Sequence, residues 1–153
     1  MKQLPLKVPV KHKTDVRTQF AALPFRVSHD KLQVLLITSR RTKRWIVPKG
    51  WPMEGVSPMD AAATEAFEEA GVEGKAYPQC VGLFSYQKDR GDLEDLPCVA
   101  MVYPIKVTRL LSDYPEKNER RRKWFSIKKA VTKVHEPELR AILKAFDPKN
   151  LHG

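Results

Sequence analysis

The sequence predicts a single α/β domain, a sandwich of helices around a mixed β-sheet. Its 153 residues are enough for one domain with a buried core. Short apolar runs typical of strands alternate along the chain with segments that carry helix signals, and this alternation favours a layered architecture. We expect a basic N-terminal extension at residues 1–16, the folded domain at residues 17–146 and a C-terminal tail at residues 147–153.

Strand patterns open the domain. Residues 17–27 predict a strand, in which Pro24 indicates an edge position or a bulge because proline has no N–H to donate. Residues 32–38 form a continuous apolar run and predict a buried strand. A basic loop at residues 40–44 leads into a short strand at residues 45–47.

The clearest helix follows a loop at residues 48–55. Ser57 can cap this helix, Pro58 suits its first position, and Gly71 can end it in a left-handed conformation. The helix is therefore expected at residues 58–70. Three further strands and two further helices complete the domain, with an acidic loop at residues 89–96. The strands are expected at residues 80–87, 98–107 and 123–126, and the helices at residues 127–134 and 137–146.

Three glutamates distinguish the predicted helix. At about 100° per residue, Glu65, Glu68 and Glu69 fall within roughly a 100° arc. The small side chains of Ala61 and Ala62 share this acidic side. The other side is apolar, and we expect it to be the core face: it holds Met59, Ala63, Ala66, Phe67 and Ala70.

This arrangement is unfavourable without a ligand. Glu65 precedes Glu68 and Glu69 by three and four positions, and each like-charge pair costs about 0.2–0.5 kcal/mol in an exposed helix. The helix dipole also disfavours anions in the last turns. Mg²⁺ would compensate, because it binds a few carboxylates and leaves its other positions to water and phosphate. A solvated glutamate face is the alternative.

The net charge of +10 attracts anions, which include nucleic acid, an anionic membrane and a phosphorylated small molecule, and the alternative is that it serves only solubility. No nucleic-acid recognition motif accompanies the basic segments, so nucleic acid is not expected. We expect no membrane span, and the N-terminal stretch lacks the apolar core of a signal peptide, which predicts a cytoplasmic protein. Neither Cys80 nor Cys98 belongs to a CxxC pair, and the four histidines have no metal-ligand spacing, so a zinc site is not expected.

Residues 50–72 resemble the Nudix box, GX5EX7REUXEEXGU, in which U is a bulky apolar residue. The positions that match in register are Gly50, Glu65, Glu68, Glu69, Gly71 and Val72. The resemblance implies a Nudix-type α/β/α sandwich and a metal-dependent pyrophosphohydrolase. Its cofactor would be Mg²⁺, with Mn²⁺ as the alternative, held by the three glutamates and by the carbonyl oxygen of Gly50.

Three positions depart from the box. Val56 replaces its first glutamate, Thr64 replaces its arginine, and Ala66 is smaller than the usual apolar residue. In the family, that arginine helps to hold the acidic cluster in place. We suggest Lys49 or an arginine from residues 40–44 as the substitute cation.

The resemblance extends over residues 17–146. Ser39-Arg40, the segment at residues 44–48 and the basic segment at residues 120–125 are similar to the diphosphoinositol polyphosphate phosphohydrolase branch, although only Arg17 is basic in the first strand. That branch prefers highly charged polyphosphates, including diadenosine polyphosphates, which implies an anionic phosphorylated small molecule as substrate. The candidate substrate-binding residues are Arg17, Ser39, Arg40, Arg44, Lys49, Arg121 and Lys123.

Catalytic roles can be assigned in part. Glu65 and Glu69 are the first choices as metal ligands because i,i+4 spacing stacks them, and Glu68 is a third ligand or the general base. The acidic loop offers other bases, which are Asp89, Asp92, Glu94 and Asp95. Two alternatives stay open: hydrolysis of ADP-ribose or another nucleoside diphosphate derivative, and a degenerate domain that binds without turnover, which Val56 and Thr64 favour.

Overall fold

The computed structural model describes residues 16–91 and 93–153. The expected N-terminal extension, except residue 16, and the candidate base Asp92 lie outside the described residues. The described part contains one mixed sheet of eight strands. The strands are β1 (Arg17–Ser28), β2 (Lys31–Thr38), β3 (Trp45–Ile46), β4 (Lys49–Gly50), β5 (Val72–Ala76), β6 (Gly82–Lys88), β7 (Leu96–Leu110) and β8 (Arg122–Ser126). β1 and β7 run parallel, and the other pairs are antiparallel.

Helices cover both faces of this sheet. The helices are α1 (Pro58–Ala70), α2 (Ile127–Lys133) and α3 (Pro137–Ala145), and a 3-10 turn (Pro148–Asn150) follows them. One apolar cluster packs α1 against the sheet, and a second packs α2 and α3 against the opposite face. The predicted α/β/α sandwich is therefore confirmed. Among the described residues, no helix has the length and apolar character needed to cross a membrane.

Pro24 lies inside the sheet, so the edge position predicted for it is wrong. On one side of β1, Pro24 is in register with Ile105 of β7. On the other side, β4 pairs with β1 up to Ala21, and β2 begins to pair with it at Phe25. Backbone N–H groups alternate in direction along a strand, so position 24 would point its N–H to the same side as Ala22, whose N–H donates to the Pro48 carbonyl. On that side Pro24 lies in the gap between β4 and β2, where no partner strand needs a donor, and proline is therefore tolerated.

Helix α1 begins and ends as the sequence predicts. Ser57 Oγ accepts from Asp60 N at 3.3 Å, and Pro58 occupies the first turn. Gly71 has φ 67°, and its N–H donates to the Phe67 carbonyl at 2.9 Å. A side chain at Gly71 would also collide with Tyr114 and Arg122, so both the left-handed backbone and the neighbouring packing require glycine here.

The buried face of α1 differs from the prediction. Phe67, expected in the core, is 39% exposed, whereas Ala61 and Ala62 are completely buried. Glu69 lies in the middle of this buried arc and is only 6% exposed. The alanines let the helix lie close to the sheet, so that the acidic side faces inward rather than towards solvent. Residue size at the contact, rather than hydrophobicity alone, sets the orientation.

Two strands were not expected from the sequence. β4 lies inside the segment predicted as a loop, and only two residues pair with Phe20 and Ala21. β5 follows α1 without apolar alternation, and its pairing with β7 is interrupted by an irregularity between Glu73 and Gly74. Both strands are short and depend on pairing with a long neighbour, so the local sequence carries little signal for them.

Candidate active site

A cleft of about 1240 Å³ opens at one end of the sheet. Its walls come from the β2–β3 loop, β4 and the following loop, α1, β6, the segment before β8, and the start of α3. These segments are far apart in the sequence, and the sheet brings their ends together. Helix α1 contributes Glu65 and Glu69 to the cleft lining, and the β2–β3 loop contributes arginines.

The carboxyl groups of Glu65 and Glu69 are hydrogen-bonded to each other, one helical turn apart. Burial raises the pKa of Glu69 to about 8, against the lowering effect of Arg120. Burial also raises the pKa of Glu65, to a lesser extent. Because Glu69 keeps its proton more readily, its carboxyl group donates and Glu65 accepts. A buried carboxyl group, Glu69, and a half-buried one, Glu65, that share a proton are a site where a cation can replace that proton.

Gly50 lies directly under Glu65. A Cβ atom at this position would come within 2.6 Å of both carboxylate oxygens of Glu65. Glycine is therefore required where strand β4 approaches α1 closely, and this packing explains why the box begins with a glycine. The backbone N–H of Lys49, the preceding residue, donates to Glu69 Oε1 at 3.4 Å. Strand β4 thus touches both carboxyl groups.

Glu68 is placed differently from the other two glutamates. Its backbone carbonyl accepts from Glu116 N at 3.0 Å, and its side chain is not among the residues that line the cleft. Within residues 16–91 and 93–153, no three carboxylate, imidazole or thiol groups converge as a metal site. The structure therefore brings Glu65, Glu69 and Gly50 together, and the roles predicted for Glu68 stay predictions.

Lys49 extends into the same cleft. Its Nζ lies 4.7 Å from the centre of the Tyr86 ring. Burial lowers the pKa of Lys49 to about 8, although Glu69 opposes this shift. Beneath the ring, the Tyr86 hydroxyl donates to Gln19 Oε1, and Gln19 is 1% exposed. The Lys49 ammonium is therefore a cation of the cleft lining in a restricted environment.

The basic loop predicted at residues 40–44 forms one rim of the cleft. Ser39, Arg40 and Arg44 line the cleft, as does Arg41. Ser39 Oγ accepts from the Arg44 backbone N–H at 3.1 Å, which fixes the loop. Lys88 from β6 also lines the cleft. Several cations therefore share the cleft with the two carboxyl groups, an arrangement suited to a multiply charged anion.

Acidic partners hold two of these arginines. Arg40 Nη1 lies 3.0 Å from Glu119, and Arg41 Nε lies 3.5 Å from Asp89. All four side chains are substantially exposed, so these ion pairs contribute little to stability. An anionic ligand can therefore compete with Glu119 and Asp89 for the guanidinium groups at small cost.

Three predicted substrate-binding residues do not line the cleft. Arg17 lies at the start of β1, in register with Cys98. Arg121 and Lys123 project over the rings of Trp45 and Phe125, on the outer edge of the sheet. A role for these three residues in substrate binding stays a prediction that the cleft geometry does not favour.

Sequence reasoning missed several residues that line the cleft. Arg120 has a side chain that is 9% exposed and contacts Glu69. Arg120 belongs to the basic segment at residues 120–125, but no local sequence signal distinguishes it from Arg121 or Arg122. The other missed residues are Gln19, Trp51, Tyr86, Lys88, Glu116, His135 and Glu136. Trp51 falls within the box, so its position next to Gly50 was the available signal.

Comparisons with known proteins show what this chain is similar to. Residues 17–146 match the family model described as the NUDIX domain. Diphosphoinositol polyphosphate phosphohydrolase 3-beta of Homo sapiens is 36% identical over 121 residues, which cover 76% of this chain and 70% of that protein. Nudix hydrolase 12, mitochondrial, of Arabidopsis thaliana is 32% identical over 105 residues. This match covers 67% of the chain but only 52% of the Arabidopsis protein, so the chain spans about half of that relative.

Solved structures share the fold at low sequence identity. The binary complex of C. elegans Ap4A hydrolase has a TM-score of 0.61 at 18% identity and covers 83% of this chain and 92% of that chain. The NUDIX domain of Shewanella oneidensis NrtR, complexed with ADP ribose, has a TM-score of 0.63 at 16% identity, and the match covers 91% of each chain. At these identities the likeness shows the fold alone.

Proposed function

This chain belongs to the Nudix hydrolase family, and on that premise we propose that it hydrolyses a phosphoanhydride bond in a highly anionic substrate, such as a diphosphoinositol polyphosphate or a diadenosine polyphosphate. The observation that carries the proposal is the cleft itself. Its carboxyl pair, half-buried Glu65 and buried Glu69, shares the cleft with Arg40, Arg44 and Lys49. The relative named for diphosphoinositol polyphosphates, at 36% identity, supports this substrate class.

The carboxyl pair fits a divalent metal. Both groups offer hard oxygen donors. The Glu65 carboxylate occupies the space that a Cβ atom on residue 50 would fill, so it lies directly against the backbone of Gly50. We propose that Glu65 and Glu69 hold Mg²⁺ or Mn²⁺, with the carbonyl of Gly50 and the side chain of Glu68 as further ligands. When bound, the metal supplies Lewis-acid neutralisation of charge at the phosphate oxygens.

The protein's own residues bind and orient the substrate. Phosphoryl transfer needs the attacking and leaving oxygens in line and the charge on the equatorial oxygens neutralised. Arg40, Arg44 and Lys49 line the same cleft as the carboxyl pair, and we propose that they bind the phosphates next to the scissile bond. Ser39 holds the rim loop in place through its bond to the Arg44 backbone.

A general base must come from the cleft wall. Of the acidic-loop candidates, Asp89 and Asp95 line the cleft. The structure adds His135 and Glu136, which lie just before α3 and line the cleft. Asp89 also pairs with Arg41 and accepts from the Gly91 N–H, but the pair with Arg41 is exposed and weak. The candidate bases among the described residues are therefore Asp89, Asp95, His135 and Glu136.

Turnover of a substrate panel tests the proposal. The purified protein is assayed in Mg²⁺, and separately in Mn²⁺, with diphosphoinositol polyphosphate, diadenosine polyphosphates and ADP-ribose. Glu69→Gln is the test variant, and Glu73→Gln is the matched control because Glu73 pairs with Arg109 away from the cleft. We expect turnover of a polyphosphate that Glu69→Gln loses and Glu73→Gln retains. Equal turnover by both variants would contradict the role of Glu69.

Binding without turnover is the second candidate function. It is favoured by the two altered box positions, Val56 and Thr64. Ligand-induced increases in Tm without product release, for any substrate in the panel, would support this alternative. Preferred turnover of ADP-ribose would instead move the assignment to nucleoside diphosphate derivatives.

A further inference from the structure

Thr64, which stands where the box has arginine, does not face the cleft. Its Oγ1 donates to the Asp60 carbonyl at 3.0 Å, within the first turns of α1. Thr64, Phe67 and Gly74 line a separate shallow groove on the other side of the helix. The cation that the box normally places on α1 is therefore missing from this helix, and the carboxyl pair needs a partner from elsewhere.

Arg120 is in the position to be that partner. Its Nη2 lies 3.8 Å from Glu69 Oε1, and both side chains are more than nine-tenths buried. Its Nε donates to Glu116 Oε1 at 2.8 Å, and its Nη1 donates to the Thr38 carbonyl at 3.2 Å. Three separate contacts fix the planar guanidinium group, so its orientation towards Glu69 is determined.

The segment that carries Arg120 is itself attached to α1 and β2. Glu116 N donates to the Glu68 carbonyl at 3.0 Å, at the end of the helix. The Arg121 N–H donates to Thr38 Oγ1 at 2.9 Å, and the Thr38 N–H donates to the Arg121 carbonyl at 3.0 Å. Arg120 is thus held on both sides by backbone bonds, as a preorganised group should be.

The other nearby cations are occupied differently. Lys49 Nζ lies over the Tyr86 ring, and only its backbone N–H bonds to Glu69. Arg40 is 58% exposed and pairs with Glu119. Arg41 pairs with Asp89, and Arg44 Nε donates to Thr42 Oγ1. None of the substitutes suggested from the sequence, Lys49 or an arginine from residues 40–44, therefore places a buried guanidinium beside Glu69.

We propose that Arg120 is a positioning residue that replaces the missing box arginine, and that Glu116 holds it in place. The proposal deepens the hydrolase assignment and rests on it. Arg120 fixes the orientation of the Glu69 carboxyl group without itself binding the substrate. Arg120, in the segment before β8, thus supplies the guanidinium that the box normally supplies from the helix. On this proposal, the changes at Val56 and Thr64 do not by themselves make the site inactive.

Arg120→Met tests this role, since methionine keeps much of the volume and removes the charge. Loss of an outer partner of a metal-binding carboxylate typically costs about 10–100-fold in activity. We expect kcat to fall by about that factor with KM nearly unchanged, because an interaction that acts through Glu69 does not contribute to ground-state substrate binding. Arg120→Lys should recover part of kcat, and Glu116→Gln should cause a smaller loss. Arg109→Met, which removes an exposed Arg–Glu pair elsewhere, is the matched control.

Two measurements without metal separate positioning from phosphate binding and from failure of the hydrolase assignment. Methylenebisphosphonate affinity, measured by calorimetry, should be unchanged in Arg120→Met, and a tenfold loss with a parallel rise in KM would overturn the proposal.

The second measurement is the Tm of the metal-free protein. Arg120→Met should lower Tm by several degrees in the natural protein and by clearly less in a protein that already carries Glu69→Gln. Equal decreases in both backgrounds would show that Arg120 does not act on Glu69, whether or not any substrate is hydrolysed.

Discussion

Glu65 lies so close to Gly50 that the backbone of β4 forms the support for its carboxylate. A methyl group on residue 50 would come within 2.6 Å of both carboxylate oxygens. This single contact joins the strand that follows the basic rim to the helix that carries the acidic pair. The position of Glu65 in the cleft is therefore set by a residue fifteen positions earlier in the sequence.

Gly50→Ala should reduce turnover severely. The added methyl group must displace the Glu65 carboxylate, and a displacement of about 1 Å in a catalytic group can cost about 100-fold in rate. Overpacking should also lower the free energy of unfolding by about 1–3 kcal/mol. Steady-state kinetics and denaturant unfolding measure the two effects.

Gly55→Ala is the control for this loop. Gly55 has φ 77° but open space around it, so alanine there costs about 1–3 kcal/mol of backbone strain without touching a carboxyl group. We expect reduced stability with normal kcat. If both alanine variants lost activity equally, general destabilisation of the loop would explain the loss and the Gly50–Glu65 contact would not.

The stability of the metal-free protein should fall as pH rises from 4.5 to 8. The pKa of Glu69 is raised to about 8 by burial, above its ordinary value of 4.5. Between these values the folded state binds a proton that the unfolded state has released, so unfolding becomes easier as pH increases. The contribution is complete below pH 4.5 and lost above pH 8. Tm in EDTA should therefore decrease over this range, and Glu69→Gln should flatten the decrease. Parallel curves would refute the assignment to Glu69.

Lys49 should produce the opposite slope at higher pH. Burial lowers its pKa from 10.5 to about 8. Between these values the unfolded state binds the extra proton, so stability increases with pH. Together with Glu69, this predicts a minimum in the Tm of the metal-free protein near pH 8. Lys49→Met should remove the rise above pH 8 and leave the fall below it.

Mg²⁺ affinity should increase with pH up to about 8. Metal binding needs the ionised carboxylate, and Glu69 keeps its proton below about pH 8. One proton released per metal ion predicts a gain of about tenfold in affinity per pH unit below that value. Calorimetry at pH 6, 7 and 8 measures it. Glu69→Gln, which has no proton to release, should show weak binding that does not vary with pH.

Arg44→Met should weaken substrate binding. Arg44 lines the cleft, and loss of a hydrogen bond to a charged group removes about 1.5–3 kcal/mol, which corresponds to at least tenfold in KM. Arg109→Met is the exposed control. Lys123→Met, measured beside them, decides the sequence-based prediction for that residue: a rise in KM equal to that of Arg44→Met would show that Lys123 reaches the substrate from the edge of the sheet.

The predicted elements and the observed ones agree where the signal is local. The bounds of α1 follow from Ser57, Pro58 and Gly71, each of which acts on its own backbone. The buried face of the same helix was predicted incorrectly, because Phe67 looks like a core residue and Ala62 does not. Which side of a helix is buried depends on what it packs against, and the nearby sheet accepts alanines and a carboxyl pair rather than a phenyl ring.

The sequence by itself determined the α/β class, the helix with its three glutamates and the family to which they point. All of these depend on spacing within a short stretch, because the backbone geometry of a helix or strand fixes which nearby residues share a side. Only the tertiary structure decided that Glu69 is buried, that Gly50 supports Glu65 and that Arg120 rather than Lys49 or Arg40 contacts Glu69 through its side chain. These contacts join residues up to 51 positions apart in the sequence numbering. The sheet brings them together, and no local pattern contains that information.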